Sequence, residues 1–276
     1  MLKIDSHQHF WIYDEVRDSW ISEDMAVLRA DFMPGQLLAE LQQHHFDGSV
    51  VVQSDQSPAE NIFQLENAGN NAFVKGVVGW VDLQAQDIDD QLAALSGYSK
   101  LKGFRHILQG EKDRALMLKP GFVNGIAKLR PLGYTYDILI FPDQLKYAAE
   151  LAAKFPDQPF VVDHIAKPAI KNGTIEEWKK DIIALAAHEN VYCKVSGMVT
   201  EADWQNWQFE DFNPYLDVVF EAFGAERLMY GSDWPVCLLA ASYQQVIDLT
   251  DQYTSKLTAT EQAMFWGGNA TKFYNL

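Results

Sequence analysis

The sequence predicts a (β/α)8 TIM-type barrel, an α/β fold of eight parallel strands and intervening helices, followed by C-terminal helices. Eight short apolar, β-branched segments alternate with longer amphipathic segments along the chain. The length of 276 residues suits one such barrel, which commonly takes about 250 residues. No linker, low-complexity tract or short repeat interrupts the alternation. We therefore expect residues 1–276 to form a single domain.

The predicted strands are short apolar runs, each followed by turn residues. They lie, in order, at Lys3–Phe10, 48–54, 74–81, 101–108, 134–140, 159–166, 191–197 and 227–233. Alternation of strands with helices implies parallel strands joined by right-handed crossovers. Eight such units without a break in composition favour a closed barrel over an open, doubly wound sheet.

The predicted helices occupy the gaps between these strands. Pro34 stands where a first helical turn would begin, and Pro142 opens another helix that runs through Phe155. Between 174 and 189, apolar residues recur at spacings of four and three, which places them on one helical face. These residues are Trp178, Ile182 and Leu185.

The charge and composition argue against several classes of function. The chain carries 22 basic and 38 acidic residues, a net charge of −16, so its surface should repel nucleic acids and anionic lipid headgroups. We expect a small-molecule substrate. The sequence is compatible with either a monomer or a homo-oligomer. No apolar run is long enough to cross a membrane, and the N-terminus has no apolar signal core. Together with two cysteines expected to stay reduced, Cys193 and Cys237, this favours the cytoplasm.

The first predicted strand ends in a pair of histidines. Active sites of such barrels form at the C-terminal ends of the strands, so polar residues there become candidates. His7 and His9 are two residues apart, and positions i and i+2 of a strand point to the same face. Two imidazoles on one strand can bind a metal ion or hold an oxyanion. A lone His-x-His also occurs among ordinary surface or core histidines.

Two further strand ends supply ionisable groups that strengthen this interpretation. Asp233, after the eighth strand, suits a general base that activates water and returns the proton to the leaving group. Its alternative role is a helix cap or loop carboxylate. His164, after the sixth strand, suits a metal ligand or a donor to a substrate carbonyl. Its alternative is a core histidine satisfied by the backbone.

The fourth strand contributes Arg105 and His106, both predicted to bind substrate. Adjacent residues face opposite sides of a strand, so only one of them should enter the site directly. Arg105 suits a carboxylate or polar substrate group, or alternatively a salt bridge beneath the loops. Lys194 and Asp137 lie within the seventh and fifth strands and are either functional or buried polar members of the barrel.

Two long loops are rich in aromatic residues, at 10–32 and 198–212. Aromatic side chains over a barrel mouth suit a lid or a platform for sugar rings, and otherwise pack on the rim. We predict Trp20, in the first loop, and Trp234, beside the candidate base, as substrate-binding residues.

These motifs together resemble the amidohydrolase-2 family of the amidohydrolase superfamily, and especially its sugar-lactonase branch of L-fuconolactonase-like and L-rhamnonolactonase-like proteins. The matching segments occur in family order along essentially the whole chain. They read IDSHQHFW, MAVLRADFMP, GFRHILQ, VVDHIAKP, YCKVSGM, YGSDWPV and GGNATKFYNL. The set is far more specific than any one motif.

The resemblance implies hydrolysis of the cyclic ester of a sugar acid, a reaction of carbohydrate metabolism. It also implies that the catalytic positions are His7, His9, His164 and Asp233. A decarboxylase of the same superfamily and a non-catalytic sugar-acid-binding barrel are the alternatives.

The resemblance leaves the metal content open. The usual binuclear pattern of the superfamily has histidines on strands five and six and often a bridging lysine on strand four. Strand five here carries Tyr136 and Asp137, which disfavours a binuclear centre. The resemblance is compatible with one divalent metal, zinc first, held by the same four residues, and equally with metal-free catalysis.

Overall fold

The computed structural model describes all of residues 1–276, and its central feature is an eight-stranded parallel sheet in sequential order, β1 to β8. The strands are β1 (Ile4–Gln8), β2 (Gly48–Val52), β3 (Val74–Gly79), β4 (Leu101–His106), β5 (Thr135–Ile138), β6 (Phe160–Val162), β7 (Val191–Val195) and β8 (Leu228–Tyr230). Each lies within a predicted segment, and all eight end two or more residues before the predicted end. The TIM-type (β/α)8 barrel predicted from the sequence is confirmed.

Ten α-helices connect the strands and complete the C-terminal region. They are α1 (Pro34–Gln43), α2 (Pro58–Asn70), α3 (Ile88–Leu95), α4 (Pro120–Leu129), α5 (Leu145–Lys154), α6 (Glu176–Ala186), α7 (Asn213–Phe223), α8 (Tyr243–Thr254), α9 (Ala259–Ala263) and α10 (Asn269–Tyr274). Pro34 opens α1 as predicted, whereas Pro142 opens a single 3₁₀ turn that precedes α5. Trp178, Ile182 and Leu185 form the buried face of α6, as predicted.

The barrel closes where β1 meets the segment after β8. Gln8 pairs with Trp234 in a parallel bridge. The His9 amide donates to the Trp234 carbonyl at 2.8 Å, and the Asp233 amide donates to the His7 carbonyl at 2.9 Å. These bonds tie the first and last candidate site segments to each other directly.

The barrel interior changes from apolar at its base to polar at its mouth. A cluster of nine buried residues joins strand residues such as Val50 and Val161 to Phe273 and Tyr274 of α10, so the C-terminal helix packs against the base. A larger cluster of 66 buried residues fills the space between the sheet and the surrounding helices. Polar side chains of the upper strands are left to face the mouth.

The pairing of β1 with β2 contains a register shift between Asp5 and Gln8. Strict alternation would put Ile4 and His7 on opposite faces, yet Ile4 belongs to the interior cluster and His7 also faces the barrel interior. Irregular pairing of this kind re-aims side chains. The shift therefore helps to bring His7 into the barrel.

The remaining sequence predictions concern membrane-spanning segments, the two cysteines, the domain extent, the location and the oligomeric state. None of the helices combines the length and apolar character needed for a bilayer crossing. Cys193 and Cys237 are buried and unpaired. The single-domain extent of 1–276, the cytoplasmic location and a homo-oligomeric state stay predictions.

Candidate active site

The two histidines of the first strand converge at the barrel mouth. The Nε2 atoms of His7 and His9 are 3.2 Å apart, and both side chains are almost completely buried. The rings meet edge to face, with centroids 4.9 Å apart. The predicted common orientation of these residues is therefore present.

Asp233 and His164 complete the cluster. Oδ1 of Asp233 lies 3.4 Å from Nε2 of His9, 3.8 Å from Nε2 of His7 and 3.8 Å from Nε2 of His164. Asp233 also borders the central cavity. Histidines from two distant parts of the chain thus surround one carboxylate oxygen of a third part.

Both Asp233 and His164 hold left-handed backbone conformations, with φ of +58° and +55°. Non-glycine residues seldom adopt this conformation, and it occurs most often where surrounding structure enforces it, as at functional sites. Gly197, at φ +61°, lies against the His164 ring, and a Cβ there would stand 2.5 Å from its Nδ1. A residue without a side chain is therefore needed beside His164.

Each imidazole is held through its Nδ1 atom, which leaves Nε2 directed at the centre. His9 Nδ1 is 2.8 Å from the Val52 carbonyl, which can only accept, so this nitrogen carries the proton. His7 Nδ1 is 3.1 Å from Lys194 Nζ and 3.3 Å from the Asp163 carboxylate. His164 Nδ1 is 2.8 Å from Ser196 Oγ. Such contacts fix the ring orientation and tautomer of metal-binding histidines.

Burial and neighbouring charges set the protonation states of the cluster. Burial lowers the pKa of His7 and of His164 well below the usual value, so both rings are neutral near pH 7. Burial alone would raise the pKa of Asp233, but attraction to His164 and His9 outweighs it and holds that pKa below its usual value. Neutral imidazoles beside a carboxylate suit both metal binding and proton abstraction.

A buried charge network lies directly beneath the cluster. Lys194 Nζ is 2.6 Å from Asp137 Oδ2 and 3.0 Å from Asp163 Oδ1, and all three side chains are fully buried. Arg105 donates to the other oxygen of Asp163 at 3.1 Å, and the Tyr274 hydroxyl donates to Asp137 at 2.7 Å. Lys194 and Asp137 are therefore buried polar members of the barrel that support His7 from below.

The cluster opens into a cavity of about 350 Å³ at the barrel mouth. The volume falls in the range typical of small-molecule sites. The cavity is bordered by His9, Trp11, Trp20, Ser54, Arg105, Ile107, Gln109, Gly110, Leu139, His164, Lys167, Asp233 and Val236. Arg105 and Trp20 thus reach the site, as the sequence suggested.

Two predicted substrate-binding residues do not border this cavity. His106 points away from the barrel interior, because it follows Arg105 on the same strand, and bonds Glu111 at 2.7 Å through Nε2. Trp234 is buried against Phe10 and Phe32 in the aromatic packing of the rim. The second aromatic loop, 198–212, also contributes no side chain to the cavity walls.

The donor set fits one divalent cation. One ligand atom from each of His7, His164 and Asp233 lies within 4.8 Å of the others, and His9 Nε2 stands beside two of them. Donor atoms on a tetrahedral ion with bonds of about 2.0–2.1 Å are about 3.3 Å apart. The shortest separations here, 3.2 and 3.4 Å, are close to that value.

Three supporting residues were not singled out from the sequence. Asp163 orients His7, Ser196 orients His164, and Asp5 accepts hydrogen bonds from the backbone and side chain of Ser232, next to Asp233. Asp163 immediately precedes His164, and its position at a strand end was the available signal. Nothing in the local sequence around Asp5 or Ser196 indicates that they contact Ser232 and His164, which lie more than 30 residues away.

Comparison with known proteins places this constellation in a family. The amidohydrolase-2 family model, described as amidohydrolase, matches residues 4–276. The chain belongs to the amidohydrolase-2 family. This amidohydrolase is 40% identical to a Burkholderia multivorans protein named L-fucono-1,5-lactonase, over 100% of this chain and 96% of the relative. It is 34% identical to a Burkholderia ambifaria protein of the same name, over 99% and 96%.

A solved structure is also closely similar. It is an amidohydrolase from Burkholderia multivorans with bound zinc, 40% identical to this chain. The two superpose with a TM-score of 0.97 over 100% of each chain. The resemblance predicted from the motifs is confirmed at the level of the family and the fold.

Proposed function

We propose that this amidohydrolase hydrolyses the cyclic ester of a sugar acid, an aldonolactone, by attack of water at the barrel mouth. The observation that carries the proposal is the convergence of three imidazole Nε2 atoms on Oδ1 of Asp233 at one end of a small-molecule cavity. Full-length similarity to two proteins named L-fucono-1,5-lactonase gives the substrate class.

Asp233 is the proposed general base. Its lowered pKa keeps it ionised near neutral pH, and the residue borders the cavity. The carboxylate takes a proton from the attacking water and returns it to the ring oxygen as the ester bond breaks. The product is a sugar acid with one new hydroxyl and one new carboxyl group, which releases its proton to solvent and becomes a carboxylate.

His7, His9, His164 and Asp233 are the residues proposed to hold a divalent metal, and zinc is the proposed identity because three imidazoles with a carboxylate suit it. When bound, the ion supplies polarisation of the ester carbonyl and makes water more acidic. A single ion is favoured over two, because β5 supplies no histidine and the carboxylates beneath His7 are already paired with Lys194 and Arg105.

The remaining cavity residues are proposed to position the lactone. Trp11 and Trp20 offer flat apolar surfaces, and Trp20 remains 46% exposed at the mouth. Arg105 borders the cavity with both terminal nitrogens already held, Nη1 by Asp163 and Nη2 by Gln53. Polar donors at the base with aromatic faces above suit a ring that carries hydroxyl groups.

The test is turnover of a panel of aldonolactones, followed as proton release. We expect hydrolysis by the wild type, loss of about 10²–10⁴-fold in kcat for Asp233→Asn, and full activity for the exposed control Asp157→Asn. Chelation and readdition of zinc test the metal separately: activity that survives complete metal removal refutes the metal assignment alone.

Two outcomes would refute the hydrolase proposal itself. Release of carbon dioxide from an aromatic acid, without lactone turnover, would identify a lyase. Tight binding of a sugar acid without turnover of any ester would identify a binding protein. Full activity of Asp233→Asn would refute the role of this residue as the base.

A further inference from the structure

We propose that Lys167 is a further ligand-binding residue of this site, and that its partner Glu201 weakens the hold of Lys167 on the anionic product. The inference rests on the proposed lactone hydrolysis and concerns how the enzyme treats a neutral substrate and a charged product differently.

This segment forms a left-handed turn of four residues. The φ angles of His164, Ile165, Ala166 and Lys167 are +55°, +48°, +59° and +50°, and none of these residues is glycine. L-amino acids adopt this conformation as isolated residues, seldom in succession. Such backbone persists only where the surrounding structure enforces it, and it is concentrated at functional sites.

The turn aims two side chains at one cavity. The Lys167 amide donates to the His164 carbonyl at 2.8 Å, which closes the turn and stacks the two residues three positions apart. Both residues border the central cavity. The indole of Trp178 donates to the Ile165 carbonyl at 2.8 Å and holds the turn from the helical layer.

The Lys167 ammonium has capacity left for a ligand. Its Nζ is 3.1 Å from Glu201 Oε1, and the two side chains are 15% and 20% exposed. An ammonium group has three donors, and this contact uses one. Arg105, the other cation on the cavity wall, is already committed to Asp163 and Gln53.

Charge distinguishes what Lys167 offers to substrate and to product. A lactone is neutral and can accept only hydrogen bonds from the ammonium, whereas ring opening creates a carboxylate that also gains its charge attraction. Glu201 lies against the same ammonium and does not border the cavity, so its negative charge opposes retention of the anion. Paired with Glu201, Lys167 can therefore bind both the lactone and the sugar-acid product without holding the product so tightly that its release is slowed.

The test compares Lys167→Met and Glu201→Gln in the metal-loaded enzyme. KM and kcat are measured for the best lactone, and Ki for the corresponding aldonate as inhibitor. Lys167→Met should raise Ki by about 10- to 100-fold, the range for loss of a hydrogen bond to a charged group, and raise KM less. Glu201→Gln should change Ki in the opposite direction, lowering it about threefold or more.

A matched control is Lys171→Met. Lys171 lies in the same loop region, is 64% exposed and stands 4.0 Å from Asp203, so both constants should stay unchanged. Changes of Ki in the same direction for Lys167→Met and Glu201→Gln would overturn the proposal, because a merely structural pair gives that result. Unchanged Ki in Glu201→Gln overturns the role of Glu201 even if Lys167→Met does not fold.

Failure of the proposed function has a different signature. A wild type that turns over no lactone refutes that function. Calorimetric titration with the aldonate then still tests Lys167: weaker binding by Lys167→Met supports the ligand-binding role, and equal binding overturns it.

Discussion

The buried lysine beneath the site offers a sharp test of how the barrel supports its chemistry. Lys194 is fully buried and lies between two carboxylates, 2.6 Å from Asp137 and 3.0 Å from Asp163. Substitution Lys194→Met keeps the approximate volume and removes the charge. Asp163 retains Arg105, but Asp137 is left with only the hydroxyl of Tyr274.

The expected cost follows from that uncompensated carboxylate. Removing one partner from a buried ion pair destabilises proteins by about 3–5 kcal/mol. Burial, opposed by Lys194, already raises the pKa of Asp137 to about 6. Without Lys194 this carboxyl should take up a proton, so the loss is smaller at low pH and grows as the pH rises.

The assay is thermal and urea unfolding of wild type and variant between pH 5 and pH 8. At about 2–4 °C per kcal/mol, the midpoint should fall by about 10 °C near neutral pH. The double variant Lys194→Met/Asp137→Asn should be more stable than the single variant by at least about 1 kcal/mol in the free energy of unfolding, because it removes the unpaired Asp137 carboxylate. A single variant as stable as wild type, or a double variant less stable than the single, would refute the reasoning.

Two further predictions concern the neighbours of the site. Gly197→Ala should lower kcat by at least about tenfold and the free energy of unfolding by about 1–2 kcal/mol. The added Cβ would meet the His164 ring, and residue 197 has a φ of +61°. Wild-type kinetics in this variant would contradict the assigned packing. Asp5→Asn should remove a pH dependence of stability. Burial outweighs the hydrogen bonds from Ser232 and raises the pKa of Asp5 from 3.8 to about 6, so between these two pH values the folded wild type keeps a proton that the unfolded chain releases. The free energy of unfolding of the wild type should therefore fall by about 3 kcal/mol relative to the variant as the pH rises from about 4 to about 6. Urea unfolding of both proteins at pH 4 to 7 measures the difference, and parallel stability curves would show that Asp5 does not titrate there.

The sequence predicted the barrel in considerable detail, together with the end of the barrel at which the candidate active site lies. Strand–helix alternation indicates parallel strands, and parallel strands in a barrel bring their C-terminal ends to one mouth. His7, His9, His164 and Asp233 could therefore be selected although 226 positions separate the first from the last. Strand ends were less accurate: the segment predicted to end at Ala166 leaves the sheet after Val162. Apolar runs continue into buried turns, and periodicity does not separate the two.

Tertiary structure decided which side chains meet. Period-two alternation states that Arg105 and His106 face opposite sides, but only the closed barrel shows that Arg105 faces inward. Positive φ angles at His164, Lys167 and Asp233 have no local sequence signal, because these residues rarely adopt that conformation by themselves.

Residue types and their spacing thus determined the fold and the catalytic candidates. The hydrophobic periodicity of each segment and the alternation of strands and helices along the chain can be taken directly from the sequence. The charge network beneath His7, the exclusion of Trp234 from the cavity and the aim of Lys167 arise from contacts between segments far apart in sequence. Such contacts depend on register, backbone handedness and packing volume, which only the assembled barrel specifies.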